Sequence, residues 1–503
     1  MVKIYEIPVP EKPSDAFEIS INGKKADAYR ARVSRIPFNC VWPGHQRPMS
    51  QTELSTFIYF DADETVDITV TPRREFKEAV IRPLSKKIAL NRKDNTLSFK
   101  VNPGDMLSLE LDGFHNNLQI FANKITNIPD INDPSVIYYG PGVHDAGRII
   151  LKDNQTLVID AGSVVYGSVV INEARNVRIC GHGILCNSVE TRSFRFPSSC
   201  LDRDICALPE DLQSTQVMPD EIGALMSREY SEPKPLGCLN VIKSNYVKVE
   251  GIIFRDSSVW TATVSDSGHV EFDNVKAIGM WRYNADGIDF CNSHHGVVRN
   301  CFLRNFDDVI VVKGVIDAES EYTEELLFEN NVLWCDWGRS FEIGAETCAK
   351  EIRNIIYRDS DILHGTYMHM DIQNGDSGYV HDVLYEDIRI EYTKYETEPI
   401  LQESDEMEYM PASQTHMPYL FLAEITHGFW NKQPDPGRTS DVTLRNVAAV
   451  LDEGLPKPPI SLVGKDSEHM VERVTFENVT VDGIPISAED IQTNEYVSDV
   501  KVL

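Results

Sequence analysis

The sequence has few positive charges for its length. Across 503 residues, 48 Lys and Arg stand against 78 Asp and Glu, so the formal net charge is −30 at pH 7. A surface this negative repels nucleic acids and anionic membranes, and we therefore expect neither as a partner. The same charge disfavours a polyanionic substrate, although a local basic pocket could override that bias.

Long apolar runs and closely paired cysteines are also absent. No apolar stretch approaches the roughly 20 residues that span a bilayer. The first 15 residues show no basic segment followed by an apolar core, which predicts no signal peptide. The 10 cysteines include no C-x-x-C pair, which argues against a zinc site or a redox dithiol. We expect a cytoplasmic protein with reduced thiols, no cofactor and no metal.

What the sequence does contain is a recurring short strand followed by Gly, Asn or Asp. Examples are VRICG ending at Gly181, VKVEG at Gly251, VEFDN at Asn274, LLFEN at Asn330 and VTFEN at Asn478. Recurrence every 20 to 35 residues or so, without 3.6-residue periodicity, is typical of a β-solenoid. Asn and Asp tolerate a left-handed backbone at such turns. We therefore predict a right-handed parallel β-helix.

The chain divides at about residue 135. Residues 1–135 alternate in short bursts such as FIYF from Phe57 and LSLEL from Leu107, which predicts an N-terminal β-sandwich domain. Residues 136–503 are expected to form the β-helix domain. Two stretches, at about 188–237 and 394–440, exceed one coil and are predicted to be lateral insertions. Whether they form walls of a functional site or are surface loops without a function remains open, with equal weight on each interpretation.

Two consecutive coils carry a group of acidic residues. Asn284-Ala285-Asp286-Gly287 is followed by Asp307-Asp308, and Asp286 and Asp307 are 21 residues apart, close to one minimal coil. Strands about 4.8 Å apart would bring three carboxylates together. Like charges resist ionising together and raise at least one pKa, which acid/base glycoside hydrolysis requires. On spacing alone, a polar turn beside a ladder residue, or a calcium site, remains open.

Three segments in this order resemble the polygalacturonase family (family 28) of β-helix glycosidases. They are DSSVWTATVSDS (256–267), YNADGID (283–289) and NFDDVIVVKG (305–314). The resemblance runs from roughly residue 140 to residue 400. It implies inverting hydrolysis, with Asp307 as the general acid and with Asp286 and Asp308 as the base and water-holding residues.

The sequence departs from that family where its members bind a uronate carboxylate. The family's G-H-G becomes Gly338-Arg339-Ser340, and its Arg and Lys become His369 and Asp371. Because an aspartate repels a carboxylate but accepts hydrogen bonds from hydroxyls, we expect a neutral substrate. The N-terminal sandwich and the three retained aspartates also resemble the dextranase and isopullulanase family (family 49) of inverting α-glucan hydrolases.

We therefore predict an inverting hydrolase of neutral, α-linked oligo- or polysaccharides. The residues expected to bind the sugar are Asn284, Arg339, Glu342, His369, Asp371, Trp281 and Trp337. Three alternatives remain open: a polygalacturonase-type pectin hydrolase, a calcium-dependent polysaccharide lyase using Arg339, and a non-catalytic carbohydrate-binding solenoid. The oligomeric state is also open, and a homo-oligomer is compatible with the sequence.

Overall fold

The computed structural model describes residues 1–40, 47–190, 237–316, 318–402, 407–412, 416–428 and 430–503. Almost all regular structure in these ranges is β-strand. The short 3-10 helices are Met49–Gln51, Leu84–Lys86 and Ala488–Asp490. Within the described ranges, no helix has the length and apolar character needed to cross a membrane.

The first twelve strands lie within residues 2–124. In chain order they are β1 (Val2–Ile4), β2 (Phe17–Ile21), β3 (Lys24–Ala26), β4 (Tyr29–Ser34), β5 (Phe38–Cys40), β6 (Thr52–Ala62), β7 (Val66–Pro72), β8 (Ala79–Arg82), β9 (Asn91–Lys93), β10 (Thr96–Val101), β11 (Met106–Leu111) and β12 (Asn117–Lys124). One sheet has the order β1-β6-β12-β11-β8 with β4 beside β6, and the second has the order β3-β2-β7-β10-β9. Alternating apolar residues such as Ile19, Ile68 and Leu109 share one buried core between the sheets. This is the predicted β-sandwich.

Of the 34 remaining strands in the described ranges, 33 coil into the predicted parallel β-helix, and Ile400–Gln402 instead pairs with β5. In chain order they are β13 (Val136–Tyr139), β14 (Gly142–Leu151), β15 (Thr156–Ile159), β16 (Ser163–Asn172), β17 (Arg175–Cys180), β18 (Ile184–Cys186), β19 (Leu239–Ile242), β20 (Asn245–Glu250), β21 (Ile253–Arg255), β22 (Ala262–Ser265), β23 (Gly268–Asp273), β24 (Lys276–Ile278), β25 (Ile288–Cys291), β26 (Val297–Arg299), β27 (Phe302–Asn305), β28 (Ile310–Gly314), β29 (Tyr322–Glu329), β30 (Val332–Cys335), β31 (Arg339–Thr347), β32 (Glu351–Arg358), β33 (Asp361–His364), β34 (Met368–Asn374), β35 (Tyr379–Glu386), β36 (Arg389–Tyr392), β37 (Ile400–Gln402), β38 (Tyr419–Ile425), β39 (Arg438–Arg445), β40 (Ala448–Leu451), β41 (Ile460–Val463), β42 (Val471–Glu477), β43 (Thr480–Val481), β44 (Ile484–Pro485), β45 (Ile491–Thr493) and β46 (Val497–Val502).

Each coil contributes strands to three faces. The first face is a twelve-strand sheet running from β13 to β46. The second, which we call the sandwich-facing row, includes β21, β24, β27, β30 and β33, and its outer apolar side chains pack on Phe57 and Tyr59 of the sandwich. The third, which we call the site row, includes β22, β25, β28, β31, β34 and β38 in parallel register.

The turn residues of the repeat do what the sequence predicts. Asn274, Asn300 and Asn330 adopt φ values of 57°, 56° and 53° on successive coils, and Asn446 and Asn478 repeat this at 53° and 52°. Asn reaches this left-handed region at lower cost than most residues. The side chains also form a ladder, because Asn330 Nδ2 donates to Asn300 Oδ1 at 2.6 Å.

The two predicted insertions turn out differently. Residues 191–236 of the first lie outside the described residues. In the second, 394–440, the expectation of one lateral insertion is wrong: Tyr419–Ile425 is β38 of the site row, and Arg438 begins β39 of the twelve-strand sheet. The alternating apolar residues of YLFLAEI continue the interior ladder there, since Leu420, Phe421 and Ala423 are buried in the helix core.

Candidate active site

Acidic side chains collect on the outer face of the site row. Ile288, Ile310, Phe341 and Met370 form one interior ladder, so the next residue on each strand points outwards. That outward ladder reads Asp289, Val311, Glu342 and Asp371. Asp286 and Asp307-Asp308 lie just before β25 and β28, and the fold therefore brings the three predicted aspartates to one place. All six carboxyls are buried.

Asp307 and Asp308 are held by backbone amides and by one residue of the sandwich. The Asp308 N–H donates to Asp307 Oδ1 at 3.2 Å, and the Arg339 N–H donates to Asp308 Oδ1 at 2.9 Å. Asn39 Nδ2 donates to Asp307 Oδ2 at 3.4 Å. Gly338 closes over both carboxyls, because a Cβ placed there would lie 2.3 Å from Asp308 Oδ1 and 2.7 Å from Asp307 Oδ1.

The surroundings of Asp307 and Asp308 shift the pKa values of these two carboxyls in opposite directions. Burial, together with the adjacent Asp308 charge, raises the pKa of Asp307 to about 7. Burial acts in the same direction on Asp308, but the guanidinium of Arg339, 3.5 Å from Oδ1, outweighs it and lowers the pKa of Asp308 below its usual value. Asp307 therefore carries a proton while Asp308 carries a negative charge.

A buried lysine organises the other side of the cluster. Lys313 Nζ is 3.1 Å from Glu346 Oε2, 3.8 Å from Asp286 Oδ2 and 3.9 Å from Asp289 Oδ1, and it lies 4.4 Å from the centre of the Trp260 ring. Burial and neighbouring carboxylates raise the pKa of both Asp286 and Asp289 well above the usual value. Lys313 therefore neutralises only part of the negative charge around it.

Arg339 contacts the carboxyls at the other end of the acidic cluster. Its Nε atom is 3.3 Å from Asp371 Oδ2 and 3.9 Å from Glu342 Oε1, and Nη2 donates to Gln373 Oε1 at 3.4 Å. Burial raises the pKa of Asp371 to about 8, and burial beside Asp308 raises that of Glu342. Protonated carboxyls here donate as well as accept hydrogen bonds. Among the described residues, Glu342 and Asp371 have ion pairs with Arg339, and their oxygens accept no well-formed hydrogen bond.

The other predicted sugar-binding residues are more dispersed. Trp281 is fully buried and donates from Nε1 to Asp256 Oδ1 at 3.0 Å, so it presents no ring face to a ligand. Trp337 is 9% exposed and stacks on Phe306. Asn284 occupies the turn before β25 with a φ of 52°. His369 is buried against Tyr392, and burial lowers its pKa to about 3, so it is neutral.

Several residues of the cluster were not singled out from the sequence. Asp289 and Lys313 lie inside the motifs that carry the resemblance, and their outward register positions on β25 and β28 are the signal that identifies them. Trp260 is partly buried beside Lys313. Tyr367 is 36% exposed, with Arg339 over its ring at 5.3 Å. Nothing in the sequence indicates the contact of Asn39, because it depends on how the sandwich docks.

Known proteins similar to this chain are β-helix glycosidases. On the curated side, "Probable rhamnogalacturonase E" of Aspergillus flavus is 22% identical over 161 residues, 32% of this chain and 33% of that protein. "Putative galacturan 1,4-alpha-galacturonidase A" of Aspergillus niger is 27% identical over 99 residues, 18% of this chain and 22% of that protein. The chain thus matches only a fifth to a third of the length of these relatives.

A solved structure and a family model extend the comparison to most of the chain. Dex49A from Penicillium minioluteum superposes with a TM-score of 0.59 at 14% identity, covering 100% of this chain and 96% of that chain, which shows a shared fold. The model of glycosyl hydrolases family 28 matches residues 226–498, more than half of the sequence and all of the acidic cluster. The chain belongs to glycosyl hydrolases family 28.

Proposed function

We propose that this chain hydrolyses O-glycosidic bonds of neutral, α-linked oligo- or polysaccharides with inversion of configuration. The observation that carries the proposal is the pair Asp307 and Asp308: the pKa of Asp307 is raised to about 7, so it holds its proton up to near-neutral pH, while the pKa of Asp308 is lowered and it is ionised. An inverting glycosidase requires one carboxyl group in each state. Asp307 is the general acid, and Asp308 is the base, assisted by Asp286.

The reaction balances with these three groups. Asp307 gives its proton to the glycosidic oxygen as the bond from that oxygen to the anomeric carbon breaks. A water molecule held between Asp286 and Asp308 attacks the opposite face of the sugar, forms the new carbon–oxygen bond and loses a proton to Asp308. Solvent exchange then returns the proton to Asp307. Oδ1 of Asp307 and Oδ1 of Asp308 lie at most about 5 Å apart in the structure, closer than the roughly 6.5–9.5 Å of most inverting enzymes, so the anomer formed first is the direct test of inversion.

A neutral sugar suits the charges of the cluster. Among the described residues, the cations within salt-bridge distance of the cluster's carboxyls are Lys313 and Arg339, and each already lies within 4 Å of two or more of them. A uronate would add a further negative charge without a free partner. Glu342 and Asp371, buried beside Arg339 with raised pKa values, suit sugar hydroxyls as donors and acceptors. Tyr367 offers the exposed ring beside them.

A pectin hydrolase is the second candidate, and it has its own support. Two buried cations lie in the cluster, and substrate could displace Glu346 from Lys313, since Glu346 is the least buried of its partners. The two similar proteins from Aspergillus are named for galacturan and rhamnogalacturonan. In this reading Lys313 binds the uronate carboxylate.

Parallel assays of reducing-sugar release separate the two candidates. Purified protein is incubated with neutral α-linked glucans and with oligogalacturonides of matched length, each beside Asp307→Asn as the inactive control. We expect release from the neutral series, removed by the substitution. Release from oligogalacturonides alone would establish the pectin candidate, and unsaturated products absorbing in the near ultraviolet would instead indicate a lyase. Binding without turnover in either series would reject hydrolysis.

A further inference from the structure

Three histidines from two successive coils meet on the side of the helix formed by the twelve-strand sheet. His269 lies on β23, and His294 and His295 lie in the turn before β26, five and six residues after Asp289. One ring nitrogen from each histidine lies within 4.8 Å of the other two, and Nδ1 of His294 is 2.9 Å from Nδ1 of His295. None of the three takes part in the acidic cluster.

The backbone explains why neighbouring residues converge. Successive side chains of a strand point to opposite faces, but His295 has a φ of 53°, and this left-handed turn brings its ring to the same side as His294. His269 occupies the equivalent position one coil earlier, with a φ of 56°. On other coils this turn position is filled by residues such as Asn354 and Asp382, so the fold does not require histidine there.

The surroundings fix the rings without closing the site. His269 stacks flat on Tyr246, with ring centroids 4.6 Å apart and an interplanar angle of 1°. Glu324, on the next coil, pairs through its backbone with His294 in a parallel β-bridge, and its carboxylate adds a negative charge nearby. His269 and His295 are exposed and His294 is half-buried, so an ion has a path from solvent.

We propose that His269, His294 and His295 bind a divalent transition metal ion, with zinc as the representative, and that this ion clips two neighbouring coils together. Three imidazole nitrogens are a donor set for Zn²⁺, Ni²⁺ or Cu²⁺ and not for Ca²⁺ or Mg²⁺. Bonds of about 2.1 Å in a tetrahedral site separate donor atoms by roughly 3.4 Å. The three nitrogens reach that spacing through small rotations of exposed rings, and water completes the coordination.

The clip is separate from the proposed hydrolysis. It would stabilise the coil that carries Asp286 and Asp289, because a ligand that binds only the folded state shifts the unfolding equilibrium. The expectation of no metal rests on cysteine spacing alone, which carries no information about these histidines. Their convergence depends on the register between coils, as Gly268 pairs with His294.

Zinc titration of the full chain, freed of any histidine tag, tests the proposal. Isothermal titration with ZnCl₂ should show one saturable site per chain, and zinc at about 100 times its Kd should raise Tm by about 2 °C or more. His269→Asn and His295→Asn should each weaken zinc binding by about tenfold or more while leaving Tm without zinc unchanged. Asn is the replacement of choice because it adopts the same left-handed backbone at Asn354.

His381→Asn is the matched control, because His381 lies on the same sheet outside the cluster. It should retain wild-type zinc affinity, and EDTA should reverse the Tm shift in both proteins. Absence of saturable zinc binding by the wild-type chain would overturn the proposal. So would unchanged affinity in both cluster variants, or loss of affinity in the control. None of these outcomes depends on whether the chain hydrolyses sugars.

Discussion

The twelve-strand sheet and the site row of the β-helix differ in how their acidic residues are paired with cations. On the twelve-strand sheet, Arg358 meets Glu329 at 2.7 Å, Arg299 meets Asp273 at 3.1 Å and Arg473 meets Asp441 at 2.7 Å. These pairs are partly exposed and stack coil after coil. On the site row, six buried carboxyls share Lys313 and Arg339.

The difference separates structural from functional charge. Paired charges at a surface cost little and contribute little. Buried carboxyls that outnumber their cations cost folding free energy, since each must be desolvated or protonated. On the site row, this folding cost falls at the positions where a glycosidic bond could lie between an acid and a base. Among the described residues, Glu342 and Asp371 have buried oxygens that accept no well-formed hydrogen bond. A ligand that hydrogen-bonds to these oxygens would offset part of the folding cost.

The largest expected effect is the loss of catalysis when one carboxyl of the cluster is neutralised. Asp307→Asn should lower kcat/KM by about 10²–10⁴-fold, because general acid catalysis supplies that range. Its free energy of unfolding should change little, since a neutral amide replaces a carboxyl that holds its proton up to about pH 7. Asp273→Asn, on the twelve-strand sheet, should retain full kcat/KM. Equal losses in both variants would contradict the contrast between the faces.

Removing one cation from each face compares their contributions to stability. Lys313→Met leaves buried carboxylates uncompensated and should lower the free energy of unfolding by about 3–5 kcal/mol. Arg358→Met removes a partly exposed pair and should cost at most about 1 kcal/mol. Urea unfolding at pH 7 gives both values. At pH 5 the Lys313→Met deficit should shrink, because the surrounding carboxyls have raised pKa values and protonate; similar costs in both variants would count against the account.

The packing around the acid and base is the next target. Gly338→Ala places a Cβ 2.3 Å from Asp308 Oδ1 and must displace it. A shift of about 1 Å in a reacting group lowers turnover by about 10²-fold. We expect that loss in kcat with little change in KM. Gly428→Ala is the control for glycine replacement in general, since its φ is outside the left-handed region and a Cβ there meets only Asn431 Oδ1, at an ordinary 3.8 Å; it should retain wild-type kcat.

The smallest effect is on the pH profile. Asp307 must hold a proton to act, and its pKa is about 7. Activity should therefore be high below pH 7 and fall about tenfold for each pH unit above it. Because the pKa is raised in the folded state, the same group also favours folding at low pH and loses that contribution as pH rises through 7. A log kcat/KM profile that stays flat to pH 9 would remove Asp307 from the role of acid.

Much of this architecture is visible in the sequence because it is local or periodic. The turn asparagines, such as Asn274 and Asn300, indicate the repeating coil. The spacing between Asp286 and Asp307 predicts that these two aspartates lie on neighbouring coils. Burial is harder to foresee. Trp281 and Trp260 are both tryptophans near the site, yet the fold buries the first completely and leaves the second beside Lys313.

Long-range docking accounts for the rest. Asn39 reaches Asp307 from 268 residues away, and only the position of the sandwich on the helix decides that contact. Arg339 is recognisable as a departure from the family pattern, but its approach to Asp371 depends on strand register between β31 and β34. These contacts follow from tertiary packing and have no short-range signature.

The stereochemistry of the product tests the central claim most directly. Early-time proton NMR of an α-linked neutral oligosaccharide, recorded before mutarotation, reports the first anomer formed. A protonated Asp307 opposite a water activated by Asp308 predicts the β-anomer. Appearance of the α-anomer first would mean that a carboxylate attacks the sugar itself, and it would contradict the account.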